Sequence, residues 1–353
     1  MRPILVLLLA LTAAASHAQI AAPTPEMKAE AEALLTQALG VSAEERIPLL
    51  TRALQIVPDE ARCWVAAGDA YAFPDYGEQP APPPGQAPEP PKPLSVEQGR
   101  RCYEQGAKLA PDSPLPHLRL ADLAWENDKA TAAAHLERAI ALDPKNALPL
   151  YERALLHFLA GEDDRGRERV LAAAGCDALH YPLIMPPGAM NLVQASRCTA
   201  LLAAQSNSCL SRVRLLSRQI IRVAGEVPAD SPDAAERARA MLLEGQRLTY
   251  RMVAAEPGLS IHALVGIAID ATVDTPLRFF FLGRGDRAAL ARLDTRKRAM
   301  DLIRERMAAL PARLNAETGR LNPLEANIHV FRAESETVAA ALAASGLKPT
   351  SEE

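Results

Sequence analysis

Four polar residues in the most apolar internal stretch, Leu259–Leu282, are the first candidates for chemistry. His262, Asp270, Asp274 and Arg278 recur at multiples of four, with Gly266 in register. At about 100° per residue such positions drift slowly around a helix, so the side chains would form one narrow polar stripe. A histidine and two carboxylates on one face could ligate a metal or move protons for a substrate. Nothing else in the sequence converges on the stripe. The preferred reading is an amphipathic helix whose carboxylates pair with arginines such as Arg212, Arg214 and Arg218. The stretch is not a membrane span, because Asp270, Asp274, Pro276 and Arg278 interrupt it. It reads as a central buried helix that breaks near Pro276.

Catalytic signatures are absent elsewhere. The chain has no HExxH, GxSxG, Walker A or GxGxxG pattern. Gly283-Arg284-Gly285-Asp286 contains Arg-Gly-Asp, with Asp286 well placed to cap a helix. The basic run Arg292–Arg306 is interleaved with Asp294, Asp301 and Glu305 and reads as a solvated face. Five cysteines (Cys63, Cys102, Cys176, Cys198 and Cys209) form no CxxC or zinc spacing and read as buried thiols. Cys63 and Cys102 are expected to stay unbonded, and a Cys198–Cys209 bridge depends on a chain break at Gln205–Ser208. No catalytic residue, metal or cofactor is therefore expected.

Composition narrows the class. Of 353 residues, 49% are hydrophobic and only 4% aromatic, which favours packed helices over an all-β architecture. A net charge of −4 argues against nucleic acid as a partner. Residues 1–18 read as a signal peptide: Arg2 is the basic start, Ile4–Ala15 the apolar stretch, and Ser16-His17-Ala18 the cleavage site before Gln19. That reading makes the protein exported, most simply to a bacterial periplasm, with no membrane span after cleavage.

A repeat organises the first half. RALQIVPDE at 52–60, QGAKLAPDS at 105–113 and RAIALDPKN at 138–146 end alike, and their prolines lie 53 and 33 residues apart. Trp64-x2-Ala67-Gly68-x2-Tyr71 is followed by Gly99-x3-Tyr103-x2-Gly106 and Pro111. Leu120-Ala121-x2-Ala124 is followed by Ala132-x3-Leu136-x2-Ala139 and Pro144. Arg153-Ala154-x2-His157 leads to Gly166-x3-Val170-x2-Ala173, and Arg46-x3-Leu50-x2-Ala53 supplies an earlier second helix, with Met27–Leu39 as its partner. Small residues let paired helices approach, and the proline turns the chain into the next repeat.

These motifs resemble the tetratricopeptide repeat family over residues 27–177. The resemblance implies a helical solenoid over these residues; with the helical periodicity that returns beyond residue 178, the expected fold is all-α, a solenoid followed by a helical C-terminal domain. It also implies a concave groove that binds a peptide or protein segment. Carried over by position, the groove would present Glu32, Arg62, Asp69, Phe73, Arg119, Asp122, Trp125, Tyr151 and Phe158. The family's Lys/Asn carboxylate clamp is not matched, since Ala31, Leu35, Ala66 and Asp69 stand there. Two departures matter: Pro48 should kink or delay its helix, and residues 73–93 form a Pro-rich insertion, nine prolines in 21 residues.

His180–Gly188 reads as a linker to the C-terminal domain, 189–346. Helices are expected there over 189–204, 209–224, 232–255, 260–275, 286–310 and 323–344, and the tail Lys348–Glu353 should be disordered. The reading that follows is an exported protein-interaction module. Its alternatives are an enzyme with its active site in the C-terminal domain, or a structural scaffold of the cell envelope.

Overall fold

The computed structural model describes residues 22–39, 41–73, 93–180, 192–226, 232–255, 260–318 and 323–352. The signal segment 1–18, most of the insertion 73–93 and most of the linker His180–Gly188 lie outside the described residues. The protein is all-α, with no strand among the described residues. Its helices are α1 (Pro25–Ala38), α2 (Ala43–Ile56), α3 (Ala61–Ala72), α4 (Val96–Leu109), α5 (Leu115–Ala124), α6 (Lys129–Leu142), α7 (Ala147–Leu159) and α8 (Asp163–Ala172). After them come α9 (Leu192–Gly225), α10 (Pro232–Val253), α11 (Ser260–Gly283), α12 (Arg287–Thr318) and α13 (Pro323–Ser345).

Side-chain caps start several of these helices. Thr24 Oγ1 accepts from the Met27 amide at 3.3 Å, and Pro25 occupies the first turn of α1. Ser42 and Glu45 close a reciprocal capping box on α2, the Ser42 amide reaching Glu45 Oε2 at 3.1 Å. α2 starts at Ala43 and is helical through Pro48, so the delayed start does not occur. Asp128 caps α6 and Asp286 caps α12 through the Thr131 and Ala289 amides, at 3.0 and 2.9 Å.

The chain divides into two compact units. The first holds residues up to Pro111 together with Ile184–Leu201, and the second holds Asp112–Leu183 and Leu202–Glu353. Within the first, α1 packs on α2, α2 on α3 and α3 on α4. A Cβ added at Gly68 would lie 2.4 Å from the Tyr103 ring, so the α3–α4 approach requires that glycine. Within the second, α5 packs on α6, α6 on α7 and α7 on α8. There Gly166 does the same for Phe158, at 2.3 Å. The small residues of the repeat motif are thus where paired helices meet.

The expected domain boundary at 178–188 is corrected. One core of the second unit runs from Leu118, Tyr151 and Val170 through Leu216 and Met241 to Val273 and Leu293. Helices α5–α8 therefore fold as one body with the C-terminal helices, because the apolar faces of both close on a shared interior.

Three local expectations also change. α9 is one helix through 205–208, so the Cα atoms of Cys198 and Cys209 stand about 16 Å apart at 1.5 Å per residue, beyond bridging reach. α11 continues through Pro276 to Gly283. A proline inside a helix costs about 3 kcal/mol, and the packing of buried Val273, Leu277 and Phe281 on the core offsets it. The tail, expected to be disordered, is tied down instead. The Ser351 amide donates to Gln246 Oε1 at 2.8 Å, and Arg296 donates to the Lys348 carbonyl at 2.5 Å.

Candidate interaction site

The nine groove positions separate into two groups. In the first unit, Arg62 of α3 forks onto Glu32 of α1, with Nη2 to Oε2 at 2.5 Å, and Nε reaches Glu60 at 2.9 Å. The Arg62 side chain keeps 43% of its surface exposed, and the hydrogen bonds it donates to these carboxylates raise its already high pKa. Phe73, after the last turn of α3, is half-buried. These three can meet a ligand. Asp69 cannot, because it is buried and accepts from the Tyr103 hydroxyl at 2.8 Å.

In the second unit the groove assignment is corrected. Arg119, Trp125, Tyr151 and Phe158 are each at most 5% exposed, and helices of the same chain cover them. Arg212 of α9 ion-pairs with Asp122 of α5 and, at 2.7 Å, with Glu152 of α7. Its guanidinium lies 4.5 Å from the Trp125 ring centroid, a cation–π contact. Burial pushes the Glu152 carboxyl up to about 7 despite Arg212 beside it, and Asp122 adds to the rise. Arg212 itself is held charged by those two carboxylates, which outweigh its own desolvation.

Tyr151 anchors a second cluster. Its hydroxyl donates to Glu244 Oε1 at 2.6 Å and accepts from Arg251, and Arg251 reaches Glu244 at 2.7 Å. Arg251 Nη2 also donates to the carbonyls of Ala173 and Cys176, both at 2.9 Å. Every charged atom in the cluster is paired, which is what burial demands. Burial, with Glu244 next to it, pushes the Tyr151 phenol well above its ordinary range.

The polar stripe of α11 does not assemble a reactive site. Asp270 is buried and accepts from Arg296 Nε of α12 at 2.8 Å. Arg278 binds Asp274 at 2.5 Å and Asp294 of α12 at 2.7 Å. The carboxylates do pair with arginines, though with Arg296 and Arg278 rather than Arg212, Arg214 or Arg218. His262 is 2% exposed, and burial pushes its imidazole down to about 4. Among the described residues, no group of three or more His, Cys, Asp or Glu could hold a metal. Cys63, Cys102, Cys176 and Cys209 are buried and form no disulfide among the described residues, and burial pushes the first two thiols up to about 12.

Glu244, Arg251 and Arg296 were not evident as functional candidates in the sequence. One signal was present: Glu244, Leu248, Arg251 and Met252 share one face of α10 with Met241, and charges inside an apolar helix face require partners. The fold and these contacts define an all-α protein in which repeat-like helix pairs carry buried polar partners from later helices. No helix among the described residues is long and apolar enough to cross a membrane. No protein-family model matches the chain, and no curated protein matches it.

Proposed function

We propose that this chain is an exported protein-interaction module built on tetratricopeptide-like helix pairs and working in the bacterial periplasm. It takes a peptide or protein segment against the face of α1 and α3 that carries Glu32, Arg62 and Phe73. One observation supports this reading most. The corresponding face of α5 and α7 already receives polypeptide, since Asp122, Glu152 and Tyr151 bind Arg212, Glu244 and Arg251 of the same chain. The face of α1 and α3 also carries charge, the Arg62–Glu32 fork, with Arg62 exposed and Phe73 half-buried at the far end of α3. Export is supported by the tripartite segment at residues 1–18.

The test is crosslinking of the purified chain in periplasmic extract, with mass spectrometry of the captured proteins. Glu32→Lys with Arg62→Glu should abolish specific capture while thermal unfolding stays put, because exposed ion pairs contribute at most about 1 kcal/mol. Capture unchanged by the double reversal would reject this face. A second reading, a structural scaffold of the envelope, is favoured by a different observation, the exposed apolar face of α11.

A further inference from the structure

An open pocket of about 390 Å³ lies between α7 and α8, away from the groove positions and the stripe of α11. Arg153 and His157, four residues apart, line it from α7. Arg165, Glu168, Arg169 and Ala172 line it from one face of α8, at helical spacings of three and four. All of them belong to the second unit. The volume falls at the lower end of the roughly 300–1,000 Å³ of small-molecule sites.

Its charged groups are only partly satisfied from within the chain. The Arg153 side chain is 18% exposed, Arg169 34% and Arg165 68%, so the three run from floor to rim. Arg153 bonds through Nε, to Glu137 Oε1 of α6 at 2.8 Å. Arg169 bonds through Nη2, to both oxygens of the same carboxylate at 2.8 and 3.0 Å. One carboxylate thus serves two guanidiniums. Among the described residues, both Nη groups of Arg153 and the Nε and Nη1 groups of Arg169 meet no side-chain or backbone acceptor. Arg165 Nη1 and His157 Nδ1 share Glu162 Oε2, at 3.3 and 2.6 Å. Glu168 is the opposite case, an exposed carboxylate with no ion pair or hydrogen bond among the described residues.

Two kinds of unmet group therefore border one pocket. Guanidinium N–H donors match a carboxylate in a forked geometry, and a carboxylate calls for an ammonium. Fixed charge then selects among ligands. The guanidiniums of Arg153, Arg165 and Arg169 stand against the carboxylates of Glu137, Glu162 and Glu168, so the set is balanced. A phosphate dianion would upset that balance and bring Glu168 against it as a like charge. A zwitterion preserves the balance and meets both kinds of group.

We propose that this pocket binds a small zwitterion, a free α-amino acid or a dipeptide, its carboxylate on Arg153 and Arg169 and its ammonium on Glu168. Ala172, which ends at Cβ, leaves room for the ligand's own side chain. This inference stands independently of the peptide-binding face of α1 and α3.

Isothermal titration calorimetry of the purified chain with the common α-amino acids, glycylglycine and inorganic phosphate tests it. At least one zwitterion should bind with a Kd of about 1 mM or tighter. Its N-acetyl and its amide forms, each lacking one charge, should bind at least about tenfold more weakly. Glu168→Gln should weaken the zwitterion by about tenfold while leaving or improving binding of the N-acetyl form, because the carboxylate that repels it is gone. Arg169→Gln should weaken both. Glu168 is exposed and unpaired within the described chain, so E168Q keeps the fold, and circular dichroism checks both variants. No binding of any amino acid or of glycylglycine at about 10 mM, or an affinity indifferent to E168Q, would overturn the proposal. Phosphate binding tighter than every zwitterion, and tighter still in E168Q, would overturn it in favour of a plain anion site.

Discussion

The Tyr151 hydroxyl donates to the Glu244 carboxylate at 2.6 Å, joining α7 to α10 across 93 residues of sequence. With Arg251 on both groups, this contact turns a repeat helix and a C-terminal helix into parts of one interior. Removing one member strands the others. Tyr151→Phe should cost about 1–3 kcal/mol in urea unfolding, the cost of leaving a buried polar partner unmet. Arg251→Met should cost more, about 3–5 kcal/mol, because buried Glu244 loses its close cationic partner and keeps only Arg247, at 3.3 Å. Adding Glu244→Met to Arg251→Met should return part of that loss. An additive double variant would refute the coupling.

Trp125 sits 5% exposed beneath Arg212 and belongs to the core, against its expected place in a ligand groove. Trp125→Ala should lower stability by about 3–5 kcal/mol through cavity formation and lost aromatic area. Calorimetry gives the result directly. A melting temperature close to wild type would return Trp125 to the groove.

His262 links stability to pH. Its folded pKa is pushed down to about 4 from an ordinary 6.5, by burial. Its stabilisation is complete above pH 6.5; as pH falls toward 4 the unfolded chain takes up a proton that the folded chain refuses, and stability is lost. The full loss amounts to about 3 kcal/mol. His262→Leu should flatten this part of the pH–stability curve relative to wild type. An unchanged slope between those limits would show that other groups carry it.

Gly166 tests the small-residue position of the repeat motif. A methyl there would lie 2.3 Å from the ring of Phe158, which is itself 4% exposed and has little room to move. The helix-propensity gain of alanine over glycine, about 1 kcal/mol, favours the substitution. Overpacking at about 1–3 kcal/mol should outweigh it. Gly166→Ala should therefore melt lower, and Phe158→Leu should relieve part of the loss. A stabilised G166A would mean that α7 and α8 separate easily.

Legibility differed sharply between backbone and side chains. The cap at Asp286 and the start of α10 at Pro232 could both be read in advance. Each depends on groups within a few residues of one another. Pro276 misled, because a local rule that breaks helices was overridden by packing along both turns of α11. Gln205–Ser208 misled for the opposite reason: polar residues without a helix breaker looked like a gap, and α9 runs through them.

The amino-acid sequence by itself determined that this chain is helical, where most of its helices start, and which small residues lie between paired helices. Those outcomes follow from interactions three or four residues apart and from the volume of a missing Cβ. Only the tertiary structure decided where the buried charges go. The chain has 39 lysines and arginines against 43 acidic residues, so spacing cannot choose Glu152 for Arg212 or Glu244 for Arg251. That choice is made when apolar faces close, because a desolvated charge is tolerated only beside the partner that closure brings within reach. Closure of the second unit consumed the aromatic positions expected to face a ligand and left Ile261, Leu264, Phe279 and Leu282 of α11, a helix expected to be buried, in solvent.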